Sequence, residues 1–425
     1  MHDLRGLFEV DEAQFETLQG EFAKRGAELT VEDQEDHFAI SELKAGIEDT
    51  NWRKNVISLS FQDASKEERA ELVKQAAQLG ERRQELTELL STRQTRFMHR
   101  MMLLPNFSAS HVPPGESEED NVTISEHLLD RIHNGPDTPD HLEIGTRLGI
   151  IDNKRAAVLS GSKFSLLRGN GATLKRALLN LMLDRATELG YEETDVPFLV
   201  RPEMMQGTGQ LPKFEGDMFR TESNEGNPLY LIPTTEVPLT NMLRDHTFTE
   251  DELSVKLTGS SENFRREAGR AGADTKGLIR NHQFPKVELV RIAHPDTSWD
   301  DYSEMIEESS GLLEMLGLPF RTIELCDGDL GIAAHSTRDL EVWLPSRNGW
   351  LEVSSVSNTG EFQARRMGMK YKDGQGKRSY VHTLNGTSVA VGRTIAAILE
   401  NGLQADGSVE IPEVLHDYTK FDVIG

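Results

Sequence analysis

FRREAG at 264–269, followed by LIRNHQFPKVELV at 278–290, decides how this chain is read. The two segments have the pattern of strand, loop and strand. Alternate side chains of a strand share a face, so Arg265 and Glu267 are expected on one side and Phe264 and Arg266 on the other. A fixed guanidinium offers a planar fork of donors suited to phosphate. A carboxylate two residues along can accept from an amino group of the same ligand. Across the loop, Phe284, Lys286 and Glu288 alternate onto one face and add an aromatic plate and a second carboxylate. These are the parts of a site for a nucleotide with a small amine beside it. An Arg-x-Glu strand alone is equally the pattern of a salt-bridged sheet, so the surrounding segments carry the specificity.

Three further segments have the same character. GTGQLPKFEGDMF at 207–219 leads through a polar stretch into LIPTTEVPLT at 231–240. LEVSSVSN at 351–358 reads as a strand with Glu352 and Ser354 on one face and Ser355 beside them. AVGRT at 390–394 opens an apolar helix. With these motifs the chain resembles the seryl-tRNA synthetases, a family of class II aminoacyl-tRNA synthetases. The likeness runs from MHDLRGLF at 1–8 to ADGSVEIPEVL at 405–415 and covers all three class II signatures. These are a helix and strand ending at Pro197 in TDVPFLV, the FRREAG strand pair, and the AVGRT helix.

Composition agrees. A chain of 425 residues allows one to three domains and a large core. Acidic residues outnumber basic ones 71 to 46, a net charge of −25, which argues against wholesale non-specific nucleic-acid affinity and leaves room for local basic patches. The single cysteine, Cys326, excludes a disulfide framework and a cysteine-based metal site; it suits a reducing compartment and a buried small side chain. No structural metal is expected. No apolar run resembles a signal peptide or a membrane span. The expectation is a soluble cytoplasmic protein; an organelle isoform cleaved of its transit peptide would read the same.

PNFSASHVPPGESEEDN at 105–121, rich in proline, serine and acid, reads as a linker over about 105–122. It divides an N-terminal helical domain, 1–110, from a catalytic domain, 111–425. In the first, Ile40, Leu43 and Ile47 recur at helical spacing, and Leu72, Ala76, Leu79, Leu86, Leu90 and Phe97 follow a seven-residue seam interrupted by Arg83 and Arg93. The turn falls around QDASKEE at 62–68, with Ser65 opening a helix of about 66–103 that would reach roughly 57 Å. An antiparallel pair of that length should project. Periodicity alone leaves a dimerising coiled coil open. The resemblance instead implies an arm that holds tRNA, with Arg82, Arg83, Arg93, Arg96 and Arg100 as its phosphate contacts. After the linker, helices around 173–189 and 299–316 alternate with strand-like SKFSLLRG, KVELVRI, RTIELC and DLEVWL, without a βαβ rhythm, a GxGxxG or a P-loop. The expected fold is α+β: an antiparallel helical coiled-coil arm and a class II antiparallel sheet flanked by helices.

The resemblance implies a serine--tRNA ligase. Its first step joins the serine carboxylate to the α-phosphate of ATP and releases diphosphate. Its second passes the seryl group to the 3′ end of tRNA(Ser), with tRNA(Sec) a further acceptor. Such phosphoryl chemistry needs charge neutralisation and alignment more than a proton-transfer group. By the same likeness Arg265 and Arg393 are the catalytic clamps on the α- and γ-phosphates, the second at a helix N-terminus. Phe284 stacks on adenine and Glu267 accepts from its amino group. Arg266, Val353 and Ser354 complete the ATP set, and Glu352 with Ser355 supplies oxygen ligands for Mg²⁺ on the phosphates. Thr234, Thr235, Glu236, Arg265, Glu288, Asn385 and Thr387 match the serine pocket, with a turn asparagine the alternative for Asn385. A homodimer is implied too. The stripe Leu174, Leu178, Met182, Ala186 and Leu189 could serve it or could pack on its own sheet.

The chain departs from the family pattern in several places. The usual GRDTRG reads GADTKG, placing Ala273 and Lys276 where arginines stand. Leu351 and Val356 replace the usual arginine and cysteine, Ser336 and Arg338 replace a lysine and a tyrosine, and Asn263 replaces a cysteine. These changes leave open a divergent ligase, a paralogue specialised for resistance or secondary metabolism, and a non-catalytic RNA-binding relative.

Overall fold

The computed structural model of the chain describes residues 1–267 and 276–425. Ala273, one of the departures, lies outside the described residues. The chain forms two compact units, Met1–Leu104 and Pro105–Gly425.

The first unit is built on two long antiparallel helices, α1 (Val31–Ser60) and α2 (Lys66–Leu103). Each begins with a capping box, Thr30 with Asp33 and Ser65 with Glu68, so two otherwise orphaned amide donors are satisfied at each start. The seam closes on Ile40, Leu86, Phe97 and Met101, with Leu72, Ala76, Leu79 and Leu90 half-buried along it. Two short helices, Leu4–Phe8 and Glu12–Lys24, bring Phe8 against His37 and Phe97. The arginines of α2 divide into two sets. Asp33 and Asp36 of α1 are each 3% exposed, and burying two carboxylates is tolerable only with paired cations. Arg100 supplies both at 2.7 Å, and Arg93 and Arg96 reach Asp36 at 3.4 and 3.3 Å. Burial pushes the Asp36 carboxyl up, but Arg100 and Arg96 outweigh it and hold it below the ordinary carboxylate range. Three of the five arginines read as phosphate contacts are therefore engaged within the helical unit itself. Among the described residues the Arg82 and Arg83 side chains bond to exposed neighbours, Glu85 and Asn51.

The second unit is built on an eight-stranded sheet. Its strands are β1 (Val122–His127), β2 (Glu192–Glu193), β3 (Val255–Phe264), β4 (Gln283–Ala293), β5 (Phe320–Glu324), β6 (Ser336–Leu344), β7 (Gly349–Asn358) and β8 (His382–Thr387). The order is β1-β5-β6-β7-β8-β4-β3-β2, antiparallel throughout except for β2 beside β3. The helices that position the site are α3 (His141–Arg147), α4 (Asn170–Glu188), α5 (Glu236–Asn241), α6 (Ser298–Leu316) and α7 (Val391–Asn401). One large core joins α4 and α7 to Leu340, Val342 and Val353 of the sheet. Among the described residues no helix is long and apolar enough to cross a membrane.

Several expectations change here. Of the two roles left open for the α4 stripe, packing on its own core holds for Leu174, Leu178, Met182 and Ala186, which are buried, while Leu189 is half-buried. SKFSLLRG is not a strand; only Leu167 bridges, to Ile151. The 105–121 segment is irregular, as its composition suggests, yet it is strapped down. The Asn106 side chain donates to the Ala333 and Thr359 carbonyls, and Ala109 and Val112 are buried against Ile323 and Leu325. Cys326 is buried, its thiol donating to the Ser117 carbonyl.

Candidate functional site

β3 stops at Phe264, so the alternation expected for Arg265 and Glu267 does not apply. Glu267 has φ +48°, in the left-handed region. Arg265 and Glu267 nonetheless line one cavity of about 460 Å³, together with Phe284, Glu352, Val353 and Arg393. The Arg265 backbone N–H donates to the His282 carbonyl, its Nε donates to the Pro233 carbonyl at 3.2 Å, and its guanidinium lies 5.2 Å from the Phe284 ring centre. Glu267 is held by Arg280 at 3.4 Å. Arg266 goes elsewhere: its N–H donates to the Asp217 carbonyl, and its side chain lines a separate hollow with Phe219, Arg220 and Tyr230.

The next strand contributes through a defect in its ladder. Glu341 faces Glu352, but Leu340 faces Ser354, so Val353 is an extra residue on β7. A bulge of this kind resets which face each side chain takes. Glu352 and Ser355, three apart, therefore share the face of Glu341 and Asp339. Ser354, expected beside Glu352, turns away and donates to the Thr387 carbonyl. Glu352 meets Arg393 at 3.1 Å; Arg393 also donates from Nη1 to the Glu352 carbonyl and from Nε to the Ile279 carbonyl. Burial raises the Glu352 carboxyl, but the Arg393 and Arg265 charges prevail and keep it ionised below the usual range. Asp339 moves the opposite way: burial, with the Glu352 charge behind it, pushes its carboxyl well up, although the Ser355 hydroxyl bonds to it. Sequence reasoning missed Asp339, whose signal was the two-residue spacing to Glu341 in DLEVWL.

A second group sits beside the cavity. Lys286 and Thr387 line it, and the Lys286 Nζ reaches the Thr234 hydroxyl at 2.7 Å and the Glu288 carboxylate. Glu236, at the start of α5, is buried and accepts from Gln363 at 2.7 Å. Its burial, with Glu288 nearby, pushes its carboxyl up to about 7. Thr387 pairs with Glu288 across β8 and β4, and Asn385 lies two residues along on the same face. Thr235 is wholly buried and bonded to Ser261 at 2.7 Å, a packing contact. Nothing in the sequence pointed to Gln363.

The described departures all lie off the cavity. Asn263 is buried against Ser261, Leu351 and Val356 are in the core, and Ser336 and Arg338 both bind the Glu324 carboxylate, at 2.9 and 2.6 Å. Lys276 is exposed.

An antiparallel sheet with Arg265 just past the end of β3, Glu352 on β7 and a helix-borne Arg393 around one cavity is the core of a class II synthetase. The family model for the tRNA synthetase class II core domain (G, H, P, S and T) matches residues 219–402. The chain is 44% identical to a serine--tRNA ligase of Herminiimonas arsenicoxydans over 384 residues, 89% of each chain. It is 51% identical to one of Sulfurovum sp. (strain NBC37-1) over 317 residues, 75% of each. Its structure is similar to that of seryl-tRNA synthetase from Pyrococcus horikoshii complexed with ATP, with a TM-score of 0.85 and 32% identity over 100% of this chain and 99% of that one. The chain belongs to the seryl-tRNA synthetase family.

Proposed function

We infer that this chain is a serine--tRNA ligase, which activates L-serine with ATP and transfers the seryl group to the 3′ end of tRNA(Ser). The observation that carries this reading is one cavity lined by Arg265, Glu267, Phe284, Glu352 and Arg393, with Thr234, Glu236 and Glu288 around Lys286 at its edge. A serine carboxylate oxygen bonds to the α-phosphorus, and the bond to diphosphate breaks. Arg265, held by Pro233 and Phe284, is placed to neutralise charge at the α-phosphate. Arg393, in the first turn of α7, does the same for the terminal phosphate, where helix amides add partial positive charge. Phe284 supplies the stacking surface for adenine and Glu267 its hydrogen-bond acceptor. The ionised Glu352 and the Ser355 hydroxyl, brought to one face by the bulge, fit Mg²⁺, which prefers hard oxygen ligands. Mg²⁺ arriving with ATP supplies further charge neutralisation along the phosphates. Glu236 and Glu288 suit the substrate ammonium; leaving polar partners of the serine hydroxyl unmet is what would reject alanine.

The helical unit is the tRNA-binding part, with Arg82 and Arg83 its freest phosphate contacts. The protein works in the cytoplasm as a homodimer. Val158, 85% exposed on the helix Asn153–Ser160, is an apolar side chain that a partner could cover. Serine-dependent ATP–diphosphate exchange tests the ligase reading. Folded protein that gives no exchange at millimolar serine would overturn it in favour of a non-catalytic relative. Light scattering tests the dimer, which requires twice the 47.6 kDa chain mass.

A further inference from the structure

We propose that His141 is a positioning residue of the nucleotide site: through the Leu278–Ile279 backbone it sets the orientation of Arg393. The proposal rests on the reading of Arg393 as a phosphate clamp. His141 opens α3, after the helix-capping Asp140, and its imidazole is buried. On one side its Nδ1 lies 3.1 Å from Oε1 of Glu400, near the end of α7. Glu400 is itself fully buried and also accepts the backbone N–H groups of His141 and Ser346, at 2.9 and 3.0 Å. On the other side the Leu278 N–H donates to His141 Nε2 at 3.2 Å. An amide N–H can only donate, so Nε2 must present its lone pair. The ring proton therefore sits on Nδ1 and is given to Glu400, which fixes both the tautomer and the ring plane.

What His141 holds is the stretch that reaches Arg393. Leu278 and Ile279 both line the cavity, and the Ile279 carbonyl accepts from Arg393 Nε at 3.2 Å. The Leu278 carbonyl abuts the first turn of α7: a Cβ on Gly392 would come within 2.7 Å of it. Just before, Gly277 has φ +66°, and a Cβ there would collide with His141 Nε2. One imidazole thus joins the C-terminal end of α7, through Glu400, to the two residues that brace its N-terminal end. With Nε tied to Ile279 and Nη1 shared with Glu352, the guanidinium plane of Arg393 is set by where Ile279 stands.

Two amide variants separate positioning from mere support. In His141→Asn the side-chain amide overlays Nδ1 and can still donate to Glu400 but cannot reach Leu278. In His141→Gln an acceptor overlays Nε2. Leaving the buried Leu278 N–H without an acceptor carries a penalty that should appear as about a tenfold rise in KM for ATP in diphosphate exchange. KM for serine should stay within about twofold, and His141→Gln should return KM for ATP to within about threefold of wild type. Equal loss for ATP and serine, an unchanged KM for ATP in His141→Asn, or no recovery in His141→Gln would each overturn the proposal. Should His141→Asn not fold, two-bond ¹⁵N–¹H correlation of the wild-type histidines decides. A buried imidazole protonated on Nδ1 supports the relay, and one protonated on Nε2 overturns it. Wild-type protein without exchange would refute the ligase reading instead, and the tautomer measurement would still judge the relay.

Discussion

Replacing Arg265 with alanine should cut serine-dependent ATP–diphosphate exchange by about 150-fold while the protein stays folded. Among the described residues the guanidinium's close contacts are the Pro233 carbonyl at 3.2 Å and the Phe284 ring at 5.2 Å. The stability cost is therefore about one ordinary hydrogen bond and one cation–π contact, ~1–2 kcal/mol in total, and the melting temperature should fall by only a few degrees. The transition state loses more. A preorganised donor removed from a water-poor site costs about 3 kcal/mol, and at 1.36 kcal/mol per decade that is the stated factor. Glu352 also loses one of the cations that keep it ionised, so its carboxyl should rise and Mg²⁺ dependence should weaken. Arg265→Lys keeps the charge but not the planar fork, and its exchange rate should fall between alanine and wild type. The assay is isotopic exchange at saturating ATP and serine, with circular dichroism to confirm the fold. Near-wild-type exchange in a folded Arg265→Ala protein would show that the cavity does not use Arg265 as a phosphate clamp.

Glu236 gives a pH prediction. Its folded carboxyl is raised to about 7 from a reference of 4.5, so the folded state holds a proton that the unfolded chain has released. Its contribution to stability should fall by ~3 kcal/mol as pH rises from about 4.5 to 7; urea melts across that range should steepen this loss in wild type relative to Glu236→Gln. The serine ammonium favours the ionised form, so KM for serine should improve from pH 6 to 8, and a flat profile would remove Glu236 from the pocket. Gly392→Ala forces a Cβ to 2.7 Å from the Leu278 backbone carbonyl, which has no flexible end to yield. It should destabilise by about 1–3 kcal/mol and depress exchange; a wild-type melting curve would contradict the close approach. Deleting residues 35–98 should spare exchange and abolish tRNA charging, and charging by the intact protein should weaken steeply with salt. Equal loss of both steps would make the helical unit structural. Arg100→Ala strands two buried carboxylates and should lower the stability of that unit by about 2 kcal/mol or more, whereas Arg82→Ala should leave melting unchanged and raise KM for tRNA.

Much of this protein is legible in one dimension because much of it is local. α2 begins at Lys66 because Ser65 and Glu68 form a capping box, and its seam is visible because helical geometry repeats every 3.6 residues. Phe284, Lys286 and Glu288 share a face because β4 is regular there. Arg393 stands at the start of a helix, where its neighbours in sequence suffice to put it. Other features depend on residues far apart in the chain. Arg93, Arg96 and Arg100 read as solvated charges until α1 packs beside them and presents Asp33 and Asp36. The 105–121 segment has linker composition, and only the surfaces it meets bury it. Ser355 joins Glu352, in place of Ser354, because pairing with β6 throws Val353 out of register. No alternation within LEVSSVSN encodes that bulge. His141 and Glu400 are 259 positions apart, and each alone is an ordinary helix residue. Caps and periodicity depend on a few adjacent torsions, so the sequence by itself determines the elements and the residue types at the site. Register, burial and ion pairing depend on which surfaces meet when the sheet closes, and only the tertiary structure decides which of those residues face one another.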